Sequence, residues 1–157
     1  MWYLTQLNTL GLASNKLSGE LSPLIENLSA KLTELYLGNN LLSGTIPENF
    51  SNLVKLMTLD LSYNFFTSLP SSVTKIRFQK LYVQGNQFTG TVPEFVSWSE
   101  LNLSFNQFTG TIPHISKYGV PESVLKLNNN LLSGTIPDLV GVLEFQASFN
   151  NISGRLD

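Results

Sequence analysis

Asn40-Leu41-Leu42-Ser43-Gly44-Thr45-Ile46-Pro47 recurs unchanged as Asn130-Leu131-Leu132-Ser133-Gly134-Thr135-Ile136-Pro137, and an octapeptide repeated within one chain points to a structural period. Each copy is preceded by alternating leucines: Leu35 and Leu37 before Asn40, Leu125 and Leu127 before Asn130. The same frame fits seven segments, whose first strand positions are Leu10, Leu35, Leu59, Leu81, Leu101, Leu125 and Phe145. Two residues on stand Leu12, Leu37, Leu61, Val83, Leu103, Leu127 and Ala147. Three further on there is an asparagine each time: Asn15, Asn40, Asn64, Asn86, Asn106, Asn130 and Asn150. Successive asparagines lie 25, 24, 22, 20, 24 and 20 residues apart, the spacing of a stack of small repeated units.

Each column has a physical reason. Leucines alternating with polar residues are the mark of a strand with one buried face. Two more apolar columns follow, one through Leu17, Leu42, Phe66, Phe88, Phe108, Leu132 and Ile152, the other through Leu21, Ile46, Leu69, Val92, Ile112, Ile136 and Leu156. One unit cannot bury these side chains alone, but stacked units make a continuous core. The asparagine falls where the chain leaves the strand. Its amide is expected to satisfy backbone groups of its own turn and of the neighbouring one, as a ladder through the stack. Pro47, Pro70, Pro93, Pro113 and Pro137 end the next extended stretch, and the short mixed segments after them read as short helical or 3-10 turns with loops.

The two octapeptides resemble the plant-type leucine-rich repeat, known from the ectodomains of receptor-like kinases and from polygalacturonase-inhibiting proteins. The resemblance runs over roughly residues 4–157. It implies an α/β fold: a right-handed leucine-rich-repeat solenoid, or horseshoe, with a parallel β-sheet on its concave face. It also implies a second, short sheet at the Ser-Gly-x-Ile-Pro segments and helical or 3-10 turns on the convex side. Residues 1–157 are then expected to form a single domain of about seven repeats, without the cysteine-bearing caps of plant extracellular members.

The departures from the pattern carry expectations of their own. Phe66-Thr67-Ser68-Leu69-Pro70 is one residue short and lacks the glycine, so the second sheet is expected to be interrupted there. Glu122 replaces the leading leucine of the sixth repeat, after the irregular Tyr118-Gly119-Val120-Pro121, whereas Trp98 occupies the same place in the fifth as a core residue. The terminal repeats present Leu10, Leu12, Leu17, Phe145, Ile152 and Leu156. Two outcomes are expected: Met1, Trp2 and Tyr3 cover the first repeat, or copies of the chain associate through the solenoid ends into a homo-oligomer.

Composition narrows the function classes. With 42% hydrophobic and 13% charged residues the chain has the material for a core, and a net charge of −2 gives no basic stripe for nucleic acid. There is no cysteine, hence no thiolate metal site or thiol nucleophile. No stretch reaches the roughly 18 apolar residues of a membrane helix, and the opening residues do not read as a signal peptide. The compartment is therefore open; a mature or partial chain would be extracellular. The lone His114 follows Pro113 and has no nucleophile near it in sequence, and neither a metal-ligand spacing nor a cofactor-binding glycine loop occurs. The sequons at Asn27, Asn49, Asn102 and Asn151 do not exceed chance.

What remains is binding. The outward residues of the concave strands form columns, and the candidate contacts for a protein or peptide partner are Glu34, Tyr36, Asp60, Lys80, Tyr82, Glu100, Asn102, Lys126 and Gln146. The two tyrosines are the amphipathic anchors typical of interfaces. Tyr63, Phe105 and Phe149, just ahead of ladder asparagines, read either as a hydrophobic rim or as packing for the neighbouring turn. An alternative is a flat surface such as ice, met by the Ser/Thr-Gly-Thr array of Ser43-Gly44-Thr45, Thr89-Gly90-Thr91, Thr109-Gly110-Thr111 and Ser133-Gly134-Thr135.

Overall fold

The computed structural model describes residues 6–28, 30–114 and 119–155. Met1, Trp2 and Tyr3, expected over the first repeat, and Leu156, expected in the last apolar column, lie outside the described residues. Strands alternate along the chain between two surfaces. The first repeats contribute β1 (Thr9–Gly11), β2 (Ser18–Glu20), β3 (Glu34–Tyr36), β4 (Leu41–Thr45), β5 (Thr58–Asp60) and β6 (Phe65–Ser68). There follow β7 (Lys80–Tyr82), β8 (Thr89–Thr91), β9 (Trp98–Asn102) and β10 (Gln107–Thr111). The last are β11 (Gly119–Lys126), β12 (Leu131–Gly134), β13 (Val142–Gln146) and β14 (Asn151–Ile152).

The odd-numbered strands form one seven-stranded sheet in chain order, parallel throughout. Its register pairs Leu10, Leu35, Leu59, Leu81, Leu101, Leu125 and Phe145 across all seven strands, as the leucine alternation predicts. The even-numbered strands form a second surface, split into β2-β4-β6 and β8-β10-β12-β14. The break falls after the repeat that lacks its glycine. There β6 pairs Phe66 with Gly44 but Ser68 with Thr45, so Thr67 bulges out of the ladder in the repeat that lacks the glycine.

Between the two surfaces lies the core. Leu35, Leu59, Leu81, Phe66, Phe88 and Phe108 are fully buried. The three phenylalanines stack, with centroids 6.3 Å apart for Phe66 and Phe88 and 6.1 Å for Phe88 and Phe108. Trp98 is buried as expected, whereas Glu122 is exposed in left-handed backbone beside a bulge in β11. Three column positions depart from the sequence reading. Leu12, Leu17 and Ile136 are 38%, 39% and 39% exposed, because each lies at one end of its stack with a described neighbour on one side only.

The asparagine ladder is complete through the middle of the stack. Asn106 Nδ2 donates to the carbonyls of Val83, Leu103 and Ser104, and its Oδ1 accepts from the Phe88 N–H at 3.1 Å. Asn40, Asn64, Asn86, Asn130 and Asn150 repeat the arrangement. Each amide therefore ties its own turn to the strand end before it and to the backbone beyond, which is why a buried polar side chain is tolerated here. Among the described residues Asn15, in the first repeat, bonds its own turn alone, at Leu12 O and Ala13 O.

On the back, the turns expected after the prolines take two forms. Pro23–Asn27, Glu48–Asn52 and Ser71–Lys75 are 3-10 helices. Glu26 of the first accepts hydrogen bonds from Asn49 and Asn52 of the second, and these amides hold its carboxyl below the usual carboxylate range. After Pro93 and Pro137 no helix forms among the described residues. Those repeats span only 20 residues from asparagine to asparagine and have none to spare for a five-residue turn.

Candidate ligand-binding face

The seven-stranded sheet presents the columns that the sequence predicts. The outer one pairs Glu34 with Thr58, Lys80, Glu100, Val124 and Glu144 in turn, and the middle one pairs Tyr36 with Asp60, Tyr82, Asn102, Lys126 and Gln146. All nine candidate contact residues thus stand on one face. Side-chain contacts on this face fall in two regions. In the first, the Tyr82 hydroxyl donates to Glu100 Oε2 at 2.6 Å, and Thr9 Oγ1 donates to Glu34 Oε2 at 3.1 Å. In the second, Lys126 Nζ lies 3.4 Å from Glu144 Oε1, which also accepts from Gln146 Nε2; Gln146 Oε1 in turn accepts from Asn128.

The electrostatics of the first region are acidic. Burial, then the hydrogen bond and charge of Glu100, push the Tyr82 phenol well above its usual range, with Asp60 adding to the effect. Burial followed by Glu34 and Asp60 raises Tyr36 as well. Both phenols therefore stay neutral, hydrogen-bonding groups at any physiological pH. Asp60 is further fixed by the Ser62 backbone N–H and hydroxyl, at 2.9 and 2.6 Å. Gly38 leaves the space for this, since a Cβ there would lie 2.9 Å from the Asp60 carboxylate.

Beside the sheet, the residue before each ladder asparagine is left-handed: Ser14, Asn39, Tyr63, Gly85, Phe105, Asn129 and Phe149 all have φ between 51° and 69°. For a bulky aromatic this conformation costs on the order of 1–3 kcal/mol. Tyr63, Phe105 and Phe149 are nonetheless 57%, 55% and 79% exposed. Tyr63 leans over the next turn, where a Cβ on Gly85 would fall 2.6 Å from its ring, while its exposure leaves it part of a rim.

The Ser/Thr-Gly-Thr segments lie on the second surface. One column of hydroxyls is tied down, Thr109 Oγ1 to Gly90 O and Ser133 Oγ to Gly110 O. Thr91 and Thr111 pack their methyls over Gly110 and Gly134. The array is not continuous: it stops at the break between β6 and β8, where a shallow notch of about 480 Å³ opens among Leu69, Ser71, Thr74, Thr89, Thr91 and Glu94. His114 is exposed on the back. No helix among the described residues is long and apolar enough to cross a membrane.

Repeats of strand, asparagine turn and short outer strand, stacked with one polar face outward, define a solenoid that displays one continuous sheet. Models of the leucine-rich repeat match residues 30–88 and residues 6–28 and 97–117, together more than half of the sequence. The chain belongs to the leucine-rich-repeat family, and its relatives are plant receptor-like proteins and kinases. It is 54% identical over 57 residues to the LRR receptor-like serine/threonine-protein kinase EFR of Arabidopsis thaliana, covering 36% of this chain and 6% of that protein. It is 38% identical over 94 residues to Receptor-like protein 41 of the same plant, covering 57% and 11%. The chain thus spans a small part of the curated relatives it matches.

Solved structures agree. The plant peptide hormone receptor RGFR1 in complex with RGF2 superposes with a TM-score of 0.78 at 25% identity, covering 97% of this chain and 30% of the receptor. PEPR1 with AtPEP1 gives 0.78 at 31% identity, covering 90% and 21%. A plant ice-binding protein matches with a TM-score of 0.62 at 22% identity, covering 98% and 67%, which shows the shared fold alone.

Proposed function

We propose that this chain is a non-enzymatic recognition module that takes a protein or peptide ligand on its seven-stranded face, outside the cell. The observation that carries the reading is the Tyr36–Asp60–Tyr82 row with Glu100 bonded to its end: two aromatic anchors and fixed carboxylates, in register at the centre of the sheet. Aromatic side chains already held in place bind at low entropic cost, which is what a hot spot needs. Glu34, Lys80, Asn102, Lys126 and Gln146 complete the contact surface around them. The likeness to the plant peptide hormone receptor RGFR1 in complex with RGF2 supports the same class of ligand.

Selection of peptides from a displayed library on the immobilised protein tests the proposal. Peptides are expected that lose at least about 2 kcal/mol, roughly thirtyfold in Kd, when Tyr36→Ala and Tyr82→Ala are combined. Selected peptides that bind this folded double variant as well as the parent would move the site elsewhere.

A further inference from the structure

Three tripeptides of one form occupy alternate repeats: Ser62-Tyr63-Asn64, Ser104-Phe105-Asn106 and Ser148-Phe149-Asn150. The repeats between them carry Gln84-Gly85-Asn86 and Asn128-Asn129-Asn130 at the same place. Left-handed backbone suits Gly85 and Asn129, and it does not suit Tyr63, Phe105 or Phe149. Burial does not compensate, because these three rings are more than half exposed. Tyr63 gains a packing contact over Gly85, but more than half of each of the three residues stays exposed on strained backbone, which a ligand contact explains better than folding.

Their spacing is set by the backbone. The N–H of Tyr63 donates to Gln84 O, that of Gly85 to Ser104 O, and that of Phe105 to Asn128 O, so these turns are stacked at the strand spacing. Successive aromatic residues lie two such steps apart, roughly 10 Å. We propose that Tyr63, Phe105 and Phe149 form a stacking platform for an extended, neutral, β-1,4-linked polysaccharide, with one ring per disaccharide.

Three arguments select this occupant. The first is length: two strand steps match the disaccharide repeat of such a chain, whereas side chains on one side of an extended peptide recur at roughly 7 Å and fall out of step. The second is charge. Neither the row of left-handed residues nor the adjacent column through Ser62, Gln84, Ser104, Asn128 and Ser148 contains a charged side chain, so nothing on the platform answers an acidic or basic ligand. The third is polarity. Beside the rings, Gln84 and Asn128 are only partly buried and Ser148 is exposed, so uncharged polar side chains border the platform. Such groups can bond sugar hydroxyls, while the C–H faces of the pyranose rings lie against the electron-rich aromatic faces.

Retention on amorphous cellulose, with titration of a soluble β-1,4-glucan hexasaccharide, tests the platform. The parent protein is expected to be retained. The combination of Tyr63→Asn, Phe105→Asn and Phe149→Asn is expected to lower retention at least tenfold with no loss of urea stability, because Asn39 and Asn129 already show asparagine in this backbone. If the triple variant unfolds, Phe149→Asn alone is expected to weaken retention severalfold. Tyr36→Ala with Tyr82→Ala should leave retention unchanged, which separates this platform from the peptide face. A parent retained on neither cellulose nor β-1,4-mannan overturns the proposal. So does a folded triple variant retained like the parent, or equal retention on polygalacturonate.

Discussion

The two sheets of this molecule are built from the same repeats, yet one is continuous over seven strands and the other is broken into three and four. A single missing residue between Phe66 and Pro70 makes the difference. It lies downstream of Asn64, so the asparagine ladder and the Leu-x-Leu strands have set the register of the first sheet before the shortened segment is reached. The outer strand is held by the same asparagines only at its apolar position, as at Leu42, Phe66 and Leu132, and beyond that point depends on the spacing to the proline. Register, in this fold, is restored once per repeat at the asparagine, and errors accumulate only between one asparagine and the next.

Four measurements would break or sharpen that comparison. The largest effect belongs to what crosses the break. Phe88 stacks on Phe66 from the three-stranded side and on Phe108 from the four-stranded side. Phe88→Ala is expected to cost about 4 kcal/mol in urea unfolding through its cavity. A loss under about 1 kcal/mol would mean that the two halves are not joined through this stack.

Next comes the ladder itself. Asn106→Leu removes the acceptor of the Phe88 N–H and the donor of three carbonyls, and is expected to cost about 2–3 kcal/mol. Asn15→Leu, which loses only its own turn, should cost under about 1 kcal/mol. Equal losses at the two positions would show that the asparagines act as local turn residues.

A smaller gain is expected from repair. Inserting a glycine between Thr67 and Ser68 restores the length of the outer segment. It should join β6 to β8, close the notch beside Thr89 and Thr91, and slow hydrogen exchange there, for about 1 kcal/mol of stability. Unchanged exchange at residues 87–91 would show that length alone does not cause the break.

The smallest effect is alkaline. The Tyr82 phenol is raised in the folded protein, so its contribution is present below the ordinary tyrosine pKa near 10 and fades as pH rises above it. Tyr82→Phe should flatten the fall of the urea midpoint with pH above about 10. A parallel decline in both proteins would sink this assignment.

Much of the architecture was legible in the primary structure because its forces repeat. Leucine alternation and the asparagine period sufficed for the number of strands, their register and even the place of the break. A twofold-periodic buried face and a turn with unpaired backbone groups leave few other residues that fit. Trp98 was readable as core for the same reason. Less was readable where an outcome depends on a neighbour. Whether a turn after a proline winds into a 3-10 helix depended on residues to spare in each repeat, and whether Ile136 or Leu17 is covered depended on what lies beside it in the stack.

The candidate site divides in the same way. The columns carrying Tyr36, Asp60 and Tyr82 follow from period alone, since alternate residues of a strand must face outward. Only the tertiary structure shows that Glu100 meets the Tyr82 hydroxyl and that Gly38 makes room for Asp60. It alone shows that Tyr63, Phe105 and Phe149 stand exposed on strained backbone. The sequence determined the repeat and which side chains face outward, because those obey a local period. Contacts between strands that lie about twenty residues apart in the chain, and the backbone conformation they enforce, exist only once the repeats are stacked.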